Sequence, residues 1–447
     1  MEAAAQPPPA GPRAAAGRLR ALGPLALLLA VTGGAYAFSL GNGFTWDDEY
    51  VLLRNEAVHS LEDPARFFTD PATAASSPGL VSYRPLRTLA YAAMVRVFGL
   101  RALPFHLLNL ALHLASVVLV FALLRRLRFS TDRALLVAAL FALHPIQTEA
   151  VCSVTGLTDV LCAVLSLASL GLFARALDGP RRLPFAALAA LALLAALASK
   201  EMALAVPLLA ALVAWRSGAF AAAAPSRRFA LAACAALALL AAGWALLRWS
   251  LMGQLGYGAG LPGGTVGRTL LMQAEALATY LRLLLVPWGQ SVRHVSEVPL
   301  SAAEPRALAA LLVAAALAAW TLDAVRRRPD EAFGLLWFWA ALLPVSGLVP
   351  LRGDLMGERF LYLPMIGLAL ALVSLAARWT GRLSPRPLRA LAALLLLALA
   401  TLTAVRTRAW RDDLTLFESA VRVSPGSNAI RLNLAREYAR RGRDDEA

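Results

Sequence analysis

Apolar runs of roughly 10 to 25 residues recur along the whole 447-residue chain, each closed by arginines, a proline or a polar turn. A helix of ~20 apolar residues covers the hydrocarbon of a bilayer, so the pattern predicts an all-α polytopic membrane protein. Apolar stretches at 22–40, 104–124, 134–143, 150–174, 184–198, 202–215, 229–251, 307–322, 333–349, 361–377 and 390–405 give about eleven transmembrane helices. Residues 83–98 and 268–288 are amphipathic and are predicted to lie at the membrane surface or re-enter it.

Arginines orient the spans, because cytoplasmic loops retain positive charge. Arg125, Arg126, Arg128 and Arg133, then Arg175, Arg181 and Arg182, then Arg326, Arg327 and Arg328 mark one side. An odd number of crossings places the N-terminus in the cytoplasm and the C-terminus outside. The Pro/Ala-rich stretch 1–21 is expected to be a disordered cytoplasmic tail, and 22–405 the transmembrane domain. Within that domain 41–103 forms the first outer loop, and the Gly-rich stretch 253–267 reads as a linker.

Composition agrees: 59% of residues are hydrophobic, 16% are charged and mean hydropathy is +0.63, values that exclude a soluble globular protein. The net charge of +15 sits in short loops between apolar runs, so it marks topology and no nucleic-acid partner is expected. Cys152, Cys162 and Cys234 fall within apolar stretches and have neither disulfide nor metal spacing.

Residues 406–447 are polar, charged and helical in pattern, and fit a 34-residue tetratricopeptide register. Phe417, Ala420 and Pro425 close one repeat, while Leu434, Ala435, Tyr438 and Ala447 fall in step in the next. The sequence stops midway through a second helix that could not bury its apolar face alone, so a longer repeat array is expected beyond Ala447.

The specialised motifs converge on the outer side. Trp46-Asp47-Asp48-Glu49 places three carboxylates beside a bilayer. Asp47 or Asp48 would serve as a general base on an acceptor hydroxyl, its neighbour holding the acceptor or a metal. The alternative is that these acids avoid the cytoplasmic face or cap the helix that follows. His144 and Glu149 frame a Pro145 turn at a span end, where an ionisable group is either functional or a helix-terminus acid. Lys200, the only lysine, is either a phosphate contact or one half of a neutral pair with Glu201. The guanidinium fork of Arg359 suits a phosphate, or anchors the interface. Trp288, Trp337 and Trp339 are assigned to an interfacial belt.

With these motifs collected, the chain resembles the transmembrane and tetratricopeptide-repeat protein O-mannosyltransferases of the GT-C glycosyltransferases. The resemblance runs through Trp46 to Glu49, Tyr83-Arg84-Pro85-Leu86, Phe105-His106-Leu107-Leu108-Asn109, His113, the His144 to Val151 turn and Ser199-Lys200-Glu201. It continues through Leu343-Pro344-Val345-Ser346 and Glu358-Arg359-Phe360-Leu361-Tyr362-Leu363-Pro364. It implies an inverting enzyme that moves a mannose-like sugar from a polyprenyl-phosphate donor to a protein or other acceptor hydroxyl on the non-cytoplasmic side. Asp47 or Asp48 would be the catalytic acid, with Glu149, His144 and Glu49 at the pocket. Lys200, Arg359 and Arg84 would meet the donor phosphate, and tetratricopeptide repeats would present the acceptor. No cofactor beyond the lipid-linked donor is implied, and a divalent cation stays open. The setting is an integral membrane, by composition a bacterial inner membrane, or the endoplasmic reticulum if the source is eukaryotic. One departure stands out: where the family has a Gly-Arg-x-Asp pattern, this chain has Gly156-Leu157-Thr158-Asp159. The competing expectations are a non-catalytic membrane-anchored repeat scaffold of the cell envelope and, less fitting to acids crowded on one face, a transporter.

Overall fold

The protein is described here from a computed structural model covering residues 12–76, 82–253, 261, 263–294, 298–346, 356–381, 384–443 and 445. Among them every regular element is helical. The chain runs α1 (Pro12–Ala35), the outer loop with α2 (Arg66–Thr69), α3 (Pro85–Phe98), α4 (Ala102–Arg126), α5 (Thr131–Leu143), α6 (Thr148–Cys152) and α7 (Leu157–Leu177). It continues through α8 (Arg182–Ser199), α9 (Val206–Arg216), α10 (Arg227–Met252), α11 (Val266–Leu285), α12 (Pro305–Arg327), α13 (Pro329–Leu342) and α14 (Pro364–Thr380). It ends with α15 (Pro385–Thr407), α16 (Asp413–Val423) and α17 (Asn428–Arg440).

Among the described residues six helices are long and apolar enough to cross a membrane: α4, α7, α8, α10, α12 and the stretch 386–410 built on α15. A seventh is added if the bent pair Thr131–Leu143 and Pro145–Cys152 counts as one span. This is fewer than the eleven expected, and length is the reason. At 1.5 Å per residue α5, α9, α13, α14 and the apolar part of α1, Leu22–Ala35, fall short of a ~30 Å hydrocarbon layer. The amphipathic stretches form α3 and α11, and neither is among the helices long and apolar enough to cross a membrane. Residues 12–21, expected in a disordered tail, belong to α1, and 1–11 lie outside the described residues. Most of the Gly-rich linker and Ala447 lie outside them as well.

The span predicted at 150–174 is broken instead. The chain leaves α6 at Cys152, turns through Ser153–Gly156 and starts again at Leu157. Gly156 permits this, since a Cβ there would stand 2.1 Å from the carbonyl oxygen of Ala150. The turn is held from two sides, by Asn109 Nδ2 donating to the Ser153 carbonyl at 2.7 Å and Tyr91 Oη donating to that of Val154 at 3.2 Å.

The interior is aromatic and apolar around α4, α5, α7 and α14, and His113 at its centre is held on both sides. His113 Nε2 faces the carbonyl of Ala142 at 3.1 Å and so carries the proton, leaving Nδ1 to accept from Tyr362 Oη at 2.6 Å. Helices α13 and α14 approach backbone to backbone, as small residues allow between membrane helices. A Cβ on Gly334 would lie 2.5 Å from Gly367 O, and one on Gly367 would lie 2.4 Å from Gly334 O. Gly367→Ala is therefore expected to force the two helices apart at a cost of about 1–3 kcal/mol, read as a lowered melting temperature in detergent. Gly34→Ala, with nothing within 4 Å of its added Cβ, leaves the temperature unchanged.

Candidate active site

Asp48 is fully buried. One carboxylate oxygen accepts the backbone N–H of Thr45 at 2.8 Å, and the other accepts that of Thr155, also at 2.8 Å, from the turn behind α6. It thus fastens the outer loop to the helical body across 107 positions. Burial pushes its carboxyl up to about 7, while the two N–H donors pull the other way. Asp47, next to it, is half-buried. Trp46, just before, has a left-handed backbone with φ 46°, an unusual state for a bulky residue.

The three cations assigned to a phosphate each carry an acidic partner. Lys200 and Asp159 form an ion pair with both side chains almost wholly enclosed. Arg84 holds Glu201 through Nη2 on Oε1 at 2.9 Å and Nε on Oε2 at 3.3 Å, and Arg248 reaches the same Oε2 at 3.5 Å. Arg359 holds Glu149 through its guanidinium and donates its backbone N–H to the same carboxylate at 2.9 Å. Phe360 lies between two of these pairs, with Lys200 Nζ 5.7 Å and Arg359 Cζ 5.5 Å from its ring centre. Lone charges would be costly at this depth, so the pairing follows from burial. Of the three cations Arg359 is the most open, with 21% of its side chain exposed against 10% for Arg84 and 1% for Lys200.

His144 and Glu49 are placed differently. His144 accepts the N–H of Ile146 at Nδ1 and donates from Nε2 to the carbonyl of Leu284, so both ring nitrogens serve the turn and its contact with α11. Glu49 faces away from the paired cluster, toward Arg54 at 2.5 Å and Arg440 at 3.8 Å. Glu358 ties the chain before α12 to the Arg359 turn, accepting from Ser291 N at 2.6 Å and bonding His294 Nε2 at 2.8 Å. Among the described residues no three His, Cys, Asp or Glu side chains are grouped to hold a metal ion.

No role for Asp159, Arg248, Arg406 or Asp413 was legible in the sequence. Arg248 and Arg406 carried a usable signal, each being an arginine within an apolar helix. Arg406 donates to Ser419 Oγ at 2.8 Å and lies within electrostatic reach of Glu149 and Glu358. Asp159 and Asp413 read as ordinary first-turn acids, and only their distant partners distinguish them.

No protein-family profile matches the chain. Human protein O-mannosyl-transferase TMTC4 is 27% identical over 483 aligned positions, covering 92% of this chain and 63% of that protein. Mouse TMTC3 is 32% identical over 146 positions, covering 32% of this chain and 16% of its own length, and Drosophila melanogaster Tmtc2 is 36% identical over 138, covering 30% and 14%. The curated relatives of this chain are protein O-mannosyl-transferases. The chain spans less than two thirds of each. Among solved structures, the Archaeoglobus fulgidus oligosaccharyltransferase tethered to an acceptor peptide superposes with a TM-score of 0.46 at 16% identity, covering 88% of this chain and 55% of that one.

The enclosed pair of Lys200 and Asp159 has a consequence for stability. Lys200→Ala leaves Asp159 buried without its cation and is expected to cost about 3–5 kcal/mol. Adding Asp159→Asn should recover about half of that or more, read by thermal unfolding of the purified protein. Equal losses in the single and double variants would mean the two side chains are not coupled.

Proposed function

We propose that the protein is a membrane glycosyltransferase that moves a mannose-like sugar from a polyprenyl-phosphate donor to a hydroxyl of a protein or other acceptor on the non-cytoplasmic side, with inversion. The supporting observation is the meeting of separate motifs: Asp48 with the Thr155 turn, Lys200 with Asp159, and Arg359 with Glu149. The names of the curated relatives point the same way.

In this proposal the acceptor oxygen attacks the anomeric carbon while Asp47 takes its proton, and the bond from that carbon to the phosphate oxygen breaks. Asp48 is the less suitable base, because each of its oxygens already accepts a backbone N–H. It holds the loop in place, and the proposal assigns the proton transfer to Asp47. The departing polyprenyl phosphate gathers negative charge, and Arg359 meets it by exchanging part of its contact with Glu149 for phosphate oxygens. Lys200 and Arg84 set the field behind it through their pairs with Asp159 and Glu201. The lipid tail enters laterally from the bilayer. Helices α16 and α17, in the tetratricopeptide register, lie on the same side and present the acceptor. The eleven crossings inferred from the arginines would have the short helices cross as broken spans, with the N-terminus cytoplasmic and the C-terminus outside.

Asp47→Asn is expected to reduce sugar transfer from a polyprenyl-phosphate mannose donor by about 100-fold or more while the protein inserts and unfolds as before. Undiminished transfer by that variant would exclude Asp47 as the base. No donor binding and no transfer by the unaltered protein would favour the scaffold alternative.

A further inference from the structure

The C-terminal helices do more than follow the last span: they grip the loop that carries the acids. Asn42 Nδ2 donates to the Thr407 carbonyl at 3.2 Å, and Gly43 N donates to the Arg411 carbonyl at 2.9 Å. Trp46 N donates to Asp413 Oδ1 at 2.7 Å, bridging 367 positions, while its ring meets Phe417 edge to face at 6.0 Å. Asp413 is not needed as the cap of its own helix. Asp412 does that, accepting from Thr415 N at 2.9 Å and completing a capping box with the Thr415 hydroxyl. Asp413 is therefore available to serve the loop.

The residue it holds is the left-handed Trp46. A bulky side chain in this conformation persists only where its surroundings impose it. The turn it makes closes with Asp48 N donating to Thr45 O at 3.0 Å, and it points two consecutive acids to different places, Asp48 into the body and Asp47 to a half-buried position. Without the Asp413 acceptor the N–H of Trp46 loses its partner and the turn its restraint.

We infer that Asp413 is a positioning residue: through the backbone of Trp46 it sets the turn that aims Asp47, and so couples the C-terminal helical pair to the site. This rests on the proposed glycosyl transfer for its kinetic consequence, but its structural consequence is independent of any activity. The test compares Asp413→Ala with Asp413→Asn, which keeps an oxygen acceptor, in the full chain in lipid nanodiscs. Amide hydrogen exchange is followed in the segment 44–53 and in α7 as a remote control, alongside mannose transfer from a polyprenyl-phosphate donor.

Asp413→Ala is expected to speed exchange in 44–53 by about tenfold with α7 unchanged. It should lower kcat by about 100-fold with the donor KM unmoved, and Asp413→Asn should restore both. Unchanged exchange in Asp413→Ala overturns the inference, as does an Asn variant no better than Ala. Faster exchange with α7 also losing protection means general unfolding and likewise overturns it. If the unaltered protein transfers no sugar but exchange responds as expected, the positioning stands and the functional proposal fails.

Discussion

One buried carboxylate ties the outer loop to the turn behind α6. Asp48 accepts one N–H from its own turn and one from the turn behind α6, and it does so out of contact with solvent. A buried carboxylate is stable only where donors surround it, so both turns must keep their shape for either to persist. Gly156 allows the inner turn to pass against Ala150, and Asn109 and Tyr91 hold its carbonyls. The residues gathered around Asp48 therefore depend on one another more than on any local helix preference.

The same constraint orders the charges around it. In a low-dielectric interior every cation needs a counter-charge, and Lys200, Arg84 and Arg359 each have one. Such pairs can be poised as well as structural. Arg359 is the most open of the three and lies at the edge of the cluster, and in the proposed reaction the departing phosphate competes with Glu149 for it. The C-terminal helices close the arrangement from the other side through Arg411, Asp413 and Phe417.

Much of the helix placement was legible from apolar run length alone, and α3 and α11 were legible as helices from their mixed faces. The break between α6 and α7 was not, because Gly156 matters through one contact with a carbonyl six residues earlier, which apolar length does not register. The outer motifs were visible as unusual residues, but not their partners: Lys200 meets Asp159 across 41 positions, Arg84 meets Glu201 across 117 and Arg359 meets Glu149 across 210. Such pairings are set by how helices pack, so the acidic partner that each cation meets was not legible in the sequence. The Leu284 carbonyl that His144 meets, 140 residues away, was hidden for the same reason.

The central claim is an inverting transfer served by the acid beside this clasp, and the stereochemistry of the product tests it most directly. With a β-linked polyprenyl-phosphate mannose donor and a hydroxyl-bearing peptide acceptor, nuclear magnetic resonance of the glycosylated product should show an α-linked mannose. A β-linked product would contradict single-displacement chemistry at Asp47, and the absence of any transferred sugar would contradict the enzymatic role itself.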